Sequence, residues 1–224
     1  MTRDRLFVVR KYILGLAAGL LLLLVVGVML APAETRLGNV VKLVYVHGAL
    51  VWSGLFTFSL AGVLGAVALV VQYAFGAPAR AAAWYRGTRA GGQAALIVWV
   101  IYALSSMLVT GLTWGQWIAW GEPRVRVTAM ILAAAIVLAL AVRLVDQPNL
   151  TALANVAMGI APWVAVNHVE AIRHPVNPIG GSGSASMQGF YLLIVLTVAA
   201  LALTLVAWLW IGQELHPQGP TEVA

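Results

Sequence analysis

The sequence predicts an all-α protein: a polytopic six-helix transmembrane bundle with N- and C-termini cytoplasmic, forming a single integral membrane domain over residues 1–224. Three observations predict it. Hydrophobic residues make up 62% of the chain and charged residues 9%, where soluble domains run at about 45–50% and about 25%. So much apolar surface cannot be hidden in a water-soluble fold of this size, and the bilayer takes the place of solvent. Stretches free of Asp, Glu, Lys and Arg then divide the chain into six spans. Finally, the cations are distributed unequally between the two sides that six spans create.

The first span covers 12–30 and follows Arg3, Arg5, Arg10 and Lys11. Its tail, Ala31-Pro32-Ala33, imitates a signal-peptide cleavage site, but the apolar stretch exceeds the roughly 7–15 residues of a signal h-region. A retained span is therefore expected. From 43 to 79 no charge occurs and no proline precedes Pro78, so this stretch reads as one long helix. It crosses over 47–72, with its first turns, around His47, at a membrane surface.

The third charge-free stretch, 91–121, supplies a crossing at 93–113 and then a tryptophan-rich segment. The fourth span, 127–143, is short and needs Arg126 and Arg143 to snorkel. The fifth, 149–166, carries Pro148 just before it and Pro162 near its far end. The sixth, 189–211, follows the flexible run Gly180-Gly181-Ser182-Gly183-Ser184.

Both termini then share one side with Arg3, Arg5, Arg10, Lys11, Arg80, Arg86, Arg89 and Arg143. Arg36, Lys42, Arg124, Arg126 and Arg173 lie on the other. Eight cations against five place the termini in the cytoplasm. The net charge of +6 thus follows from topology, and without a basic–aromatic module it does not point to nucleic acid. The absence of cysteine excludes disulfides, thiolate metal sites and thioether attachment of a cofactor. The absence of a Gly-x4-Gly-Lys-Ser/Thr loop assigns any ATP-driven step to a partner.

This orientation gathers the chemically distinctive residues on the external side: His47 at the second span, Trp114, Trp117 and Trp120 after the third, and His168, Glu170, Arg173 and His174 after the fifth. His216 falls in the cytoplasmic tail, where it is expected to be solvated. Each group has two readings. A histidine at a membrane boundary either satisfies its nitrogens on backbone and water or marks function, as ionisable groups near membranes often do. Three tryptophans at a spacing of three spread over about 120° of a helix face. They suit either an interfacial belt or a platform for a planar ligand.

Glu170 and His174, four apart, share a helix face on which a carboxylate can orient an imidazole. His168 and His174 lie about 240° apart around a helix, so a zinc site from His168, Glu170 and His174 requires an irregular loop. Two histidines from different segments are better suited to axial ligation of one haem from opposite faces. Arg124, Arg126 and Arg173 suit either haem propionates or lipid phosphates.

Residues 42–54, KLVYVHGALVWSG, resemble the histidine-bearing second span of the CcmC family of cytochrome c biogenesis membrane proteins. Residues 114–124, WGQWIAWGEPR, are similar to that family's external tryptophan signature, roughly Trp-Gly-x-Trp-Trp-x-Trp-Asp-Pro-Arg. His174 resembles its second haem-ligand histidine. Order, spacing and six-span topology agree over nearly the whole chain. The sequence departs from the pattern at Ile118, which replaces a tryptophan, at Glu122 in place of Asp, and at Gly121, which reads as an insertion. Val169, Ala171 and Ile172 occupy the region where a tryptophan pair is expected.

The resemblance implies a haem-handling protein of a prokaryotic plasma (inner) membrane, not an enzyme. It would hold haem b at the external face and deliver it to a haem chaperone for cytochrome c maturation. It further implies His47 and His174 as axial ligands of the haem iron, Trp114, Trp117 and Trp120 as the platform, and Arg124 as a propionate partner. The implied partners are the chaperone, ABC transporter subunits, a small single-span membrane subunit and membrane lipid, with no nucleic acid. Three alternatives stand beside it. One is a haem permease subunit working with an ABC transporter, and another is a structural assembly subunit. The third, a membrane cytochrome b-type electron-transfer subunit, would need histidines at both depths of the bilayer.

Overall fold

The computed structural model describes residues 3–170, 172 and 179–215. Among them the chain forms α1 (Arg3–Leu30), α2 (Val41–Tyr73), α3 (Pro78–Trp114), α4 (Pro123–Val145), α5 (Pro148–Asn167) and α6 (Ala185–Leu215). No strand occurs among the described residues beyond one bridged pair, Glu34 with Gly38. All six helices are long and apolar enough to cross a membrane.

The helix starts follow from local chemistry. Pro78, Pro123 and Pro148 each occupy the first turn of a helix, where the missing N–H is no loss and the fixed φ is already helical. α3 stops where Gly115 takes φ 69°, and its N–H returns to the Thr110 carbonyl, a left-handed cap that glycine enters without a Cβ penalty. Between α1 and α2, the exposed Glu34 carboxylate accepts the N–H groups of Arg36 and Leu37 at 2.9 and 2.8 Å and the Thr35 hydroxyl at 2.9 Å. The Leu37 bond, then the Thr35 bond, holds this carboxyl below its ordinary range.

α2 is the central helix and packs against α3, α5 and α6. Tyr45 and Phe58 of α2 and Trp99 of α3 are large side chains buried in this packing, with Trp99 meeting Phe58 edge-on at 5.6 Å between centroids. Small residues let the backbones close in: Gly62 and Gly159 face each other across α2 and α5. A polar network ties the same region, with Thr88 donating to the Ala61 carbonyl at 2.7 Å and Asn155 donating to the Thr88 carbonyl at 2.9 Å. Close packing and interhelical hydrogen bonds of this kind hold bundles together where lipid removes the hydrophobic drive between helices. α1 lies outside this core. It packs mainly on α6, and Gly27 is its buried residue.

Every span read from the sequence falls inside one of these helices, but the helices run further. The third span was expected at 93–113, whereas α3 begins at Pro78 and takes in Arg80, Arg86 and Arg89. A charge-free window reports only what hydrocarbon tolerates. The helix itself continues into the interface, where long cationic side chains reach water.

At the end bearing the termini, Arg86 pairs with Glu214 at 2.7 Å and Arg89 with Asp146 at 2.9 Å. Asn149 there donates to the Tyr73 hydroxyl at 2.6 Å and accepts from Tyr85. These contacts tie α2, α3, α5, α6 and the α4–α5 turn together at that end.

Candidate functional site: a cavity at one end of the bundle

At the opposite end, α2, α4 and α6 begin and α3 and α5 finish, and a cavity of about 520 Å³ opens between them. That volume lies within the roughly 300–1,000 Å³ of small-molecule sites. Its walls are largely apolar and aromatic, including Val51, Trp52, Leu55, Tyr102, Trp163 and Tyr191. His47, Trp114, Glu122 and Arg124 are the chemically distinctive residues among the rest of the lining.

His47 sits in the second turn of α2, where helical spacing places it on the face shared by Val44, Val51 and Leu55. Near this end of α2, His47 is buried within the bundle, at 8% exposed. Its ring stacks on Tyr102 at 5.0 Å and 29°, and its Nδ1 lies 3.1 Å from Ser105 Oγ. The α2 face admits Tyr191 because position 48 is glycine: a Cβ there would meet the Tyr191 hydroxyl at 2.7 Å.

α4 contributes the charged groups. Arg124 is in its first turn and lines the cavity, with Nε buried and without a hydrogen-bond partner. Glu122 caps the same helix start through backbone alone: its carbonyl accepts from Val125 at 3.1 Å and Arg126 at 3.3 Å. Its side chain is 2% exposed and accepts the Ile172 N–H at 3.2 Å. Glu122 thus fastens the segment following α5 to the start of α4. This role is not legible in the residue pattern, where Glu122 stands out only as a replacement for Asp.

The three tryptophans separate. α3 ends at Trp114, so the helical stripe expected over positions 114, 117 and 120 does not form. Trp114 lines the cavity. Trp117 and Trp120 are 59% and 58% exposed on the irregular segment beyond it. Trp117 folds back over Gly111, where a Cβ would come within 2.8 Å of its ring, and its carbonyl accepts the Thr110 hydroxyl at 3.0 Å. The cavity's own indole pair comes instead from α2 and α5. Trp52 and Trp163 lie 5.9 Å apart, and Trp163 Nε1 donates to Ser59 Oγ at 2.7 Å.

His168 is exposed at the end of α5, its Nδ1 2.8 Å from the Val164 carbonyl. His174 and Arg173 lie outside the described residues, as does His216. Among the described residues no three His, Asp or Glu side chains converge on a common point. No known family model matches the chain, and no curated protein matches it.

Proposed function

We propose that the chain binds haem b in this cavity, on the external face of a prokaryotic plasma membrane, and delivers it to a haem chaperone for cytochrome c maturation. The observation that carries this reading is the joint placement of His47 and Arg124 on one apolar, aromatic cavity. The donor set suits the group. His47 offers an imidazole nitrogen. Arg124 offers a guanidinium whose buried Nε is unpaired and which suits a propionate carboxylate. The aromatic walls accept the face of a macrocycle. Haem, when bound, would supply an iron centre that His47 would help to hold. The resemblance adds His174 as the second ligand. We assign the chain no bond-making step.

The siting of the cavity at one end, with ion pairs and a Tyr–Asn–Tyr hydrogen-bonded group at the other, favours binding from one side over passage through the bundle. His47 and His168, the histidines among the described residues, both lie toward the cavity end. That placement does not favour the two-haem arrangement of an electron-transfer subunit.

Delivery is tested by mixing the haem-loaded protein in detergent with a purified haem chaperone of the cytochrome c maturation system and separating the two. Haem is expected to appear on the chaperone. Retention of all haem on the donor under conditions where the two associate would contradict delivery.

The orientation is tested separately. Single cysteines placed at the exposed Gln116 and the half-buried Ser184 are expected to react with an impermeant reagent added outside intact cells. Reaction only after permeabilisation would invert the topology.

Because Trp117 and Trp120 do not line the cavity, their joint replacement by Phe is expected to leave haem content at the parental level and to slow transfer to the chaperone. Phe keeps the apolar body of the ring but loses the indole N–H. Parental transfer rates would reduce both residues to membrane anchors. Loss of haem content would place them in the binding site itself.

A further inference from the structure

We infer that Ser105 fixes His47 in the Nδ1–H tautomer and so makes the cavity select a metal-bearing planar macrocycle over its metal-free counterpart. The choice of ligand rests on the haem reading above; the tautomer does not.

A serine hydroxyl has one hydrogen to donate and two lone pairs to accept with. Ser105 Oγ lies 2.7 Å from the Tyr102 carbonyl oxygen, which only accepts, so the hydroxyl hydrogen is committed there. The same oxygen lies 3.1 Å from His47 Nδ1. A hydrogen bond at that point requires the imidazole to be the donor. Nδ1 then carries the hydrogen of the neutral ring and Nε2 carries the lone pair, the reverse of the form a free histidine side chain favours in water.

The ring plane is fixed by the same route. His47 stacks on Tyr102, and the Tyr102 hydroxyl lies 3.1 Å from Thr128 Oγ1. Thr128 in turn donates its hydroxyl hydrogen to the Arg124 carbonyl at 2.9 Å, so Tyr102 donates to Thr128. The chain of bonds ends on the residue of α4 that offers the cavity its guanidinium. The orientation of His47 and the position of Arg124 therefore share one support.

The consequence for the ligand is chemical. An Nε2 lone pair is a Lewis base that bonds to a metal centre, and an outer hydrogen bond to Nδ1 raises its basicity and fixes its aim. A metal-free porphyrin offers that lone pair no metal centre, and its two inner N–H groups point into the ring, although it fills the aromatic walls and presents the same carboxylates to Arg124. Ser105 thus acts through His47 as a positioning residue, and its effect belongs to the metal alone.

The experiment compares ferric haem with protoporphyrin IX, titrated by tryptophan quenching into the detergent-purified parent, Ser105→Ala and Ser105→Thr. Ser105→Ala is expected to weaken haem binding about 10–100-fold, the usual cost of removing an outer hydrogen bond to a ligand histidine, with protoporphyrin IX binding unchanged. Ser105→Thr, which keeps the hydroxyl, is expected to restore the parental ratio. Equal weakening of both porphyrins would make Ser105 part of the cavity wall and overturn the selectivity.

A second reading needs no porphyrin. Nitrogen-15 NMR of histidine-labelled protein, with the His47 signal identified by its absence from His47→Ala, is expected to show Nδ1 protonated in the parent and the Nε2–H form in Ser105→Ala. An Nε2–H signal in the parent would overturn the inference even if haem binds. An Nδ1–H signal in a parent that binds neither porphyrin would overturn the selectivity and the haem reading while leaving the tautomer in place.

Discussion

Replacing His47 with Ala is expected to abolish the low-spin spectrum of the haem-loaded protein, leaving a five-coordinate or haem-depleted species. His47 is the buried imidazole on the cavity wall, stacked on Tyr102 and held at Nδ1 by Ser105. Outer-shell partners of ligand histidines are worth about 10–100-fold in affinity, and the ligand itself is worth more. Added imidazole is expected to restore part of the low-spin signal, because the substitution to Ala leaves room for it. His168→Ala is expected to keep the parental spectrum, since that histidine is exposed at the end of α5 and absent from the cavity lining. His174→Ala is expected to match His47→Ala, on the strength of the resemblance. Loss of the low-spin signal in the His168 variant but not in the His174 variant would reassign the second ligand. Parental spectra in all three would remove histidine ligation.

The largest effect on the fold itself is expected at Gly65. A Cβ there would lie 2.8 Å from the Ala152 carbonyl oxygen, 3.1 Å from Thr88 Oγ1 and 3.3 Å from Ala152 Cα. Two of these neighbours are backbone of α5, which cannot rotate away as a side chain can. The third anchors the network in which Thr88 joins Ala61 to Asn155. Gly65→Ala is expected to destabilise the bundle by about 1–3 kcal/mol, the usual range for overpacking, and Gly65→Leu by more. The control is Gly19→Ala on α1, where a Cβ meets nothing within 4 Å. There the better helix propensity of Ala, worth up to about 1 kcal/mol, leaves stability unchanged or raised. Thermal unfolding in detergent separates the two. A Gly65→Ala protein as stable as the Gly19→Ala protein would mean that α2 and α5 do not approach as closely as described.

The spans were legible because hydrocarbon excludes charge, and a sequence displays that exclusion directly. The start of α3 was not, because Arg80, Arg86 and Arg89 look like a loop in composition yet ride on continuous helix, with Arg86 and Arg89 paired to Glu214 and Asp146. Within the site, His47 and Arg124 could be singled out by residue type, since an imidazole and a guanidinium beside a membrane are costly without a purpose. Trp117 and Trp120 were grouped with Trp114 by the resemblance and by helical spacing. That grouping assumed a helix which Gly115 ends.

Ser105, Glu122, Trp52 and Trp163 carried no comparable signal. Ser105 matters through a hydrogen count that needs its neighbours' positions. Glu122 matters through burial and a bond to a segment 50 residues away. The Trp52–Trp163 pair joins two helices more than a hundred residues apart in the chain. Partners brought together by packing leave no periodic trace in a sequence.

The most direct measurement is the absorption spectrum of the detergent-purified parent titrated with haem. One haem per chain is expected, bound saturably, with the low-spin spectrum of an iron held by two imidazoles. Haem that partitions without saturation, or that gives the same spectrum as haem in empty detergent micelles, would contradict the proposal that this cavity is a haem site.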